Sequence, residues 1–325
     1  MIIFIFSTVL RPMNRSRTTV TEFVLLGFPG SWETQLVLFS LLLVIYILTL
    51  LGNGAIICAV LWDQRIRTPM YILLGNFSFL EIWYVSSTVP NMLANFLSKT
   101  KAISFSGCFL QFYFFFSLGT TECLFLAVMA YDRYLAICCP LHYPTIMTGR
   151  CCATLVSFCW LVGFLGYPVL IFLISQLPYC GSNIIDHFLC DMDPLMALSC
   201  VPAPITQLIF YAQSSLVLFL SIMYILTSYT LVLRAVFQVP SATGRRKAFS
   251  TCGSHLMVVS VFYGTVMVMY VSPTYGIPTL LQKIVTLVYS VMTPFLNPLI
   301  YSLRNKDMKC ALKAVLCSMR SSQRL

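Results

Sequence analysis

The sequence has little charge, since Asp, Glu, Lys and Arg make up only 9% of its 325 residues. A soluble domain has about 25%. Hydrophobic residues make up 59%, and the mean hydropathy is +0.87. So much apolar surface cannot be packed into one water-soluble core, and a disordered chain is excluded by the same composition. Most of the chain therefore lies in lipid.

The apolar residues do not alternate with polar ones, which argues against a β-barrel. They form seven runs of about 20 residues or more, the length of helix that crosses hydrocarbon. In chain order, these predicted helices one to seven are residues 36–61, 69–97, 107–138, 151–174, 205–235, 247–272 and 281–303. We therefore expect an all-α membrane protein with a seven-transmembrane helix bundle.

The basic residues predict the orientation of this bundle. Fourteen of the 20 Lys and Arg lie in segments that are cytosolic if the N-terminus is outside, and six lie in the outer segments. The positive-inside rule then places the N-terminus outside and the C-terminus in the cytosol. The net charge of +10 reflects cytosolic residues that face anionic lipid, so no nucleic-acid partner is expected.

The orientation divides the chain into an extracellular segment 1–35, a helix bundle 36–303 and a cytosolic tail 304–325, which begins with a short amphipathic helix. Residues 1–12 are too short to span a membrane, and translation from Met13 is favoured over a weak signal-like segment. Asn14 begins an N-glycosylation sequon on the outer side.

Four of the 14 cysteines fall on the outer side: Cys108, Cys180, Cys190 and Cys200. An even set outside the cell predicts two disulfides, with three connectivities open. A less favoured alternative is a metal site formed by outer-loop residues: His187, Cys190, Asp191 and Asp193.

Two acidic residues lie inside predicted spans, Glu81 in helix two and Glu122 in helix three. Such charges are costly in lipid, so each is a candidate functional group. If the carboxylates face each other, they share a proton or hold a Na⁺ ion between them. The alternative is a carboxyl group hydrogen-bonded to a serine such as Ser78 or Ser117. No other cofactor is expected.

Several other classes of polytopic protein are disfavoured. The three histidines are scattered over loops and helix ends, and no nucleophile–base pair indicates an enzyme. The seven unequal helices lack the inverted repeats of many transporters, which remain an unfavoured alternative. Two buried carboxylates are too few to indicate a channel.

Five segments resemble the signature motifs of vertebrate olfactory receptors, a branch of the rhodopsin-like G-protein-coupled receptors. They occur in the family's order, as Pro69–Tyr71, Met129–Cys138, Ser228–Tyr229, Lys247–Leu256 and Pro294–Asn305. The third-helix segment reads MAYDRYLAIC and the seventh-helix segment PFLNPLIYSLRN. Gly52-Asn53 in helix one is a further match, so the resemblance covers nearly the whole chain.

The resemblance implies roles for individual residues. The activation switch would comprise Asp132, Arg133, Tyr134, Tyr229, Asn297, Pro298 and Tyr301. The disulfides would be Cys108–Cys190 and Cys180–Cys200, and Asn53 would lie with the carboxylate pair. Glu81 stands where the family usually has Asp, which places the carboxylate one methylene further out and alters the geometry of an ion site.

The resemblance also places a ligand site in the outer half of the bundle. Its candidate contacts are Phe112, Phe115, Phe116, Gly119, Thr120, Phe210, Gln213, Ser214, Tyr263, Val266, Met267, Tyr270, Leu287 and Ser290. Phe115 stands where amine receptors carry an aspartate, and no Lys or Arg lies in this set. A charged ligand would be buried without a partner, so we expect a neutral, mostly apolar odorant.

The family implies a plasma-membrane receptor that activates a Gs or olfactory-type G protein and raises cAMP. A receptor of the same fold that senses a non-volatile metabolite outside the nose is the alternative.

Overall fold

The computed structural model describes residues 20–66, 68–180, 182–238, 241–270, 278–304 and 308–311, with the backbone alone at residues 65, 242–251, 270 and 302–304. The sequon at Asn14, the start at Met13, Arg67 and most of the tail lie outside the described residues. So does the side chain of Tyr270.

Within the described residues, seven helical spans are long and apolar enough to cross a membrane, as predicted. Helices one, two and three are Trp32–Trp62, Pro69–Leu97 and Phe105–Cys138; helix four is Gly149–Gly166 and Pro168–Ser175; helices five and six are Pro204–Gln238 and Ala242–Tyr270. Helix seven runs from Thr279–Leu287 through one π-helical turn, Val288–Met292, into Thr293–Arg304. Shorter helices are Gln64–Ile66 (3₁₀), Tyr143–Ile146 and Met192–Ala197, and residues 308–311 are also helical.

Local chemistry sets the beginnings of these helices. The hydroxyl of Ser31 accepts from the N–H of Thr34, and that of Ser104 accepts from the N–H of Gly107. Each serine thereby satisfies one N–H of the first turn, which has no partner within the helix. Pro69 begins helix two, a position where the missing N–H costs nothing.

Helix three is the centre of the bundle. Its most apolar stretch is 67% buried, whereas that of helix one is 17% buried. It packs against helices two, four and five. Large apolar side chains such as Leu165 and Leu220 are exposed on the outward faces, where lipid replaces water as the solvent.

The face of the bundle on which the N-terminal segment lies, called the outer face below, carries a three-stranded sheet that the sequence did not indicate. Strand β1 (Glu22–Leu25) lies between β2 (Ala102–Ser104) and β3 (Ile184–Ile185), antiparallel to the first and parallel to the second. The bundle is all-helical as predicted, but the N-terminal segment adds a strand to its outer loops. Strands this short have no sequence period that could reveal them.

Helix four differs from the single helix predicted over 151–174. It breaks at Tyr167, and Pro168 begins the outer segment. Proline cannot donate the N–H that a continuous helix needs, and it disfavours helical backbone at the preceding residue. The Tyr167 side chain is thereby buried against helices three and five.

Candidate functional site

An ion pair between two predicted switch residues, Asp132 and Arg133, lies at the C-terminal end of helix three. Arg133 Nη2 is 2.5 Å from Asp132 Oδ2, and Arg133 Nε is 3.1 Å from the same oxygen. The other carboxylate oxygen accepts a 2.7 Å hydrogen bond from the hydroxyl of Tyr143 in the following loop. Both charged residues are buried, so the pair holds Arg133 against its own helix. Tyr134, next to it, is only partly buried.

Tyr229 of helix five is joined to helix six through His255. The Tyr229 hydroxyl lies 2.7 Å from His255 Nδ1, and His255 Nε2 lies 3.1 Å from the Leu126 carbonyl of helix three. Since a carbonyl only accepts, Nε2 of the neutral ring bears the hydrogen and Tyr229 donates to Nδ1. Helices three, five and six are thus linked by one buried ring. His255 was missed as a site residue, although it lies in the recognised segment of helix six.

The buried carboxylates have few protein partners. Asn297 Nδ2 donates to Glu81 Oε1. Among the described residues, Glu81 Oε2 and both oxygens of Glu122 have no hydrogen-bond partner, and neither does the Ser117 hydroxyl. Ser117 therefore does not provide the hydroxyl contact considered as the alternative.

Three further residues of the recognised motifs connect helices one, two and seven. Asn53 donates to the carbonyls of Thr49 and Pro294, rather than to a carboxylate. Pro298 packs against Gly52, where a Cβ would lie 3.1 Å from the ring. The Tyr301 ring packs edge-on against Phe77 of helix two at a centroid distance of 6.4 Å.

The three candidate phenylalanines of helix three belong to one connected group of aromatic rings, since the Phe115 and Phe116 rings are 5.5 Å apart. Phe112 and Phe116 pack with Phe210 of helix five, at centroid distances of 4.8 to 5.5 Å. Phe115 instead faces Tyr84 and Tyr289, at 5.3 and 5.9 Å. We call Phe112, Phe116, Phe210 and Tyr167 the aromatic cage, because Tyr167 lies 5.9 Å from both Phe116 and Phe210.

Two candidate ligand contacts lie beside the cage, where Thr120 and Ser214 each hydrogen-bond to the Tyr167 hydroxyl. Gln213 is not aimed into the cage, because its Nε2 donates to the Gly166 carbonyl at the break of helix four. Tyr263 donates to Ser221 of helix five at 2.7 Å. Tyr167 was missed because nothing marked it within an apparently continuous helix.

The remaining candidate contacts that the structure describes differ in hydrogen bonding and in burial. Ser290 donates to the Thr286 carbonyl of its own helix, so its hydroxyl is already occupied. A Cβ at Gly119 would lie 3.6 Å from the Tyr84 hydroxyl of helix two. Val266 is buried, and Met267 and Leu287 are partly buried against the core.

The outer loops form a lid held by polar contacts. Lys283 at the outer end of helix seven is buried, and its ammonium lies 2.6 Å from Asp186 and 2.7 Å from the Gly27 carbonyl. The next loop residue, His187, is stacked on Phe188. Burial, and secondarily the charge of Lys283, lowers the pKa of His187 to about 3, with Asp186 opposing the shift.

The lid covers a small cavity of about 10 Å³, enough for about one water molecule. It is lined by Leu25, Leu26, Gly27, Phe28, Met92, Asn95, Phe96, Lys101 and Phe188. This cavity lies outside the predicted ligand site, because none of its lining residues belongs to the candidate contacts.

One disulfide joins the lid to helix three, and a second lies within the loop between helices four and five. Cys108 of helix three is bonded to Cys190, and Cys180 is bonded to Cys200. This is the connectivity that the resemblance implied. The bond at Cys190 removes its thiolate from the alternative metal site. Among the described residues, no three His, Cys, Asp or Glu side chains are grouped as metal ligands.

Seven helices, a buried Asp–Arg pair ending the third and a disulfide from that helix to the loop above it define a rhodopsin-like G-protein-coupled receptor. The family model described as "Olfactory receptor" matches residues 42–319. The chain belongs to the olfactory receptor family, and it is accordingly a multi-pass membrane receptor and not an enzyme.

Individual relatives are similar along nearly their whole length. Human olfactory receptor 11H4 is 80% identical over 97% of this chain and 97% of its own length. Human olfactory receptor 11H7 is 68% identical over 96% of this chain and 100% of its own length. Human olfactory receptor 6N1 is 50% identical over 90% of this chain and 94% of its own.

Proposed function

We propose that this receptor binds a small, neutral, mostly apolar odorant at the aromatic cage and activates a Gs or olfactory-type G protein, raising cAMP. The observation that supports this most is the composition of the cage: four aromatic rings surround hydroxyl groups, with no charged side chain among them. An ionised ligand would lose its hydration there without gaining a counter-charge.

Activation is a shift between two arrangements of the bundle. In the arrangement described, Arg133 is held by Asp132, and His255 links helices three, five and six. An odorant that favours separation of helices five and six weakens these links and exposes Arg133 to the G protein. Apolar contacts of a small molecule provide only a few kcal/mol of differential affinity, so we expect roughly micromolar potency.

The test is a cAMP assay in cells that supply an olfactory-type Gs protein. The full chain with a surface tag is screened against neutral volatiles, beside Arg133→Ala and the control Arg150→Ala, an exposed arginine at the start of helix four. We expect a dose-dependent response that Arg133→Ala abolishes and Arg150→Ala retains, at equal surface staining.

Two results would contradict the proposal. Silence across the volatile panel, at good surface level, would favour the alternative of a non-volatile metabolite. A strong response to an organic diamine would contradict a neutral ligand.

We also propose that Glu81 and Glu122 bind Na⁺. The support is a set of buried oxygens without protein partners: Glu81 Oε2, Glu122 Oε1 and Oε2, Ser117 Oγ and Asn297 Oδ1. Oxygen ligands suit a hard cation, and two carboxylates need a positive partner or a proton.

Thermal unfolding in NaCl or in choline chloride at equal ionic strength tests the sodium site. We expect NaCl to raise the unfolding midpoint by about 2–5 °C, and Glu122→Gln to remove the increase. A midpoint that is equal in both salts would favour a shared proton.

A further inference from the structure

The break in helix four brings a third hydroxyl group to the ligand site. Pro168 ends the regular helix at Tyr167, and the Tyr167 side chain is only 1% exposed. Gln213 of helix five donates to the Gly166 carbonyl at 2.9 Å, which holds the broken segment against helix five. The position of the Tyr167 hydroxyl is therefore set by the proline break in helix four and by the bond from Gln213 of helix five.

Three hydroxyls from three helices meet at this point. Thr120 Oγ1 donates to Tyr167 Oη at 3.2 Å, and Tyr167 Oη lies 3.1 Å from Ser214 Oγ. Three hydroxyls bring three hydrogens, and the two bonds use two of them. One O–H donor remains, on Tyr167 or on Ser214, without an acceptor among the residues that the structure describes.

The surroundings of this remaining donor are apolar. Tyr167 packs against Phe116 and Phe210, and Phe112 completes the cage. Tyr167 is buried and Ser214 is partly buried. A donor that is shielded from water and has no acceptor is unfavourable, so a ligand that offers an acceptor gains more here than it would in water. Side chains at such sites commonly change rotamer when a ligand enters.

We propose that the hydroxyl cluster Thr120–Tyr167–Ser214 determines the specificity of the odorant site and recognises one neutral carbonyl oxygen, in a ketone, aldehyde or ester. The hydrocarbon part of the odorant then packs against the aromatic cage. This inference rests on the proposed function and names its ligand class. A site that has a hydrogen-bond donor to satisfy rejects the analogue that lacks the acceptor.

The test compares matched ligands on matched variants. Each 2-alkanone of six to ten carbons is paired with the alkene in which a methylene replaces the carbonyl oxygen. The triple variant Thr120→Val/Tyr167→Phe/Ser214→Ala removes all three hydroxyls, because a variant that keeps Thr120 alone would leave its O–H as an unpaired donor. Tyr113→Phe is the control, since its hydroxyl donates to the Phe164 carbonyl away from the cluster.

We expect the unsubstituted receptor and the Tyr113→Phe control to respond to a ketone at least about tenfold more sensitively than to its alkene. The triple variant should reduce that ratio below about threefold by weakening the ketone response, at a surface level close to that of the unsubstituted receptor.

The inference is overturned if the triple variant keeps the full ratio. It is also overturned if the receptor responds to other neutral volatiles but to no ketone, aldehyde or ester, although the proposed function then stands. Silence toward every volatile, or a response that survives Arg133→Ala, overturns the proposed function itself.

Discussion

His187 shows how burial changes a single side chain. Its Nδ1 accepts from the N–H of Leu189 at 3.3 Å, and its Nε2 is buried without a partner among the described residues. The ring is therefore neutral in the folded lid, because an imidazolium would lose its hydration beside the cationic Lys283.

This environment predicts an acid-sensitive lid. The native pKa of His187 is about 3, below the ordinary value of 6.5, so the unfolded chain takes up the proton first as pH falls. The stability that the neutral His187 ring contributes is fully present above about pH 6.5 and is lost as the pH falls toward 3. At pH 4.5 the free energy of unfolding has fallen by on the order of 2–3 kcal/mol.

Thermal unfolding between pH 7 and 4.5 tests this prediction. His187→Asn keeps an acceptor for Leu189 but cannot titrate, so its unfolding midpoint should fall less on acidification. Equal acid sensitivity of the two proteins would show that other groups cause the loss.

The two members of the Lys283–Asp186 ion pair differ in their exposure to solvent. The lysine side chain is 4% exposed and the aspartate side chain 57% exposed. Removing the aspartate leaves a buried ammonium without its counter-charge, whereas Lys283→Met replaces the charge with an apolar chain of similar length. We therefore expect Asp186→Ala to lower the surface level at least twofold more than Lys283→Met.

Flow cytometry of surface-tagged cells measures this difference. Lys99→Met serves as the control, because Lys99 is exposed on the same outer side. A larger loss in Lys283→Met would mean that its bond to the Gly27 carbonyl matters more than the ion pair.

Among the elements, helices three and four approach so closely that only glycine fits between them. A Cβ at Gly163 would lie 1.9 Å from Thr121 Oγ1 and 2.8 Å from the Ser117 carbonyl oxygen. The threonine side chain can rotate, but the carbonyl belongs to the backbone of helix three and cannot move alone.

We predict that Gly163→Ala destabilises the bundle by about 1–3 kcal/mol and sharply lowers the surface level. Gly149→Ala in the same helix is the control, because a Cβ there meets nothing within 4 Å. Adding Thr121→Ala to Gly163→Ala should not restore the surface level. Full restoration would show that the Ser117 carbonyl is not the obstacle.

For the whole molecule, the distribution of basic residues predicts a testable topology. Fourteen of the 20 Lys and Arg lie on one side of the seven spans, and their preference for the cytosol orients all seven together. An N-terminal tag should be stained on intact cells, and a C-terminal tag only after permeabilisation. Staining of the C-terminal tag on intact cells would contradict the orientation.

Sequence alone was sufficient for features that depend on composition and local order. The seven spans follow from the length of apolar runs that lipid requires, and the family follows from motifs such as Met129–Cys138. Asp132 and Arg133 could be named as switch residues because they stand inside the third-helix motif.

Only the tertiary structure decided which distant groups meet. The strand at Glu22–Leu25 forms because two outer loops offer it partners, and Gln213 is drawn away from the cage by a carbonyl exposed at the break of helix four. The meeting of Tyr167 with Thr120 and Ser214 depends on how three helices cross. Lipid determines which segments become helices, but the packing of side chains between helices determines which hydroxyl faces which, and that packing has no period in the sequence.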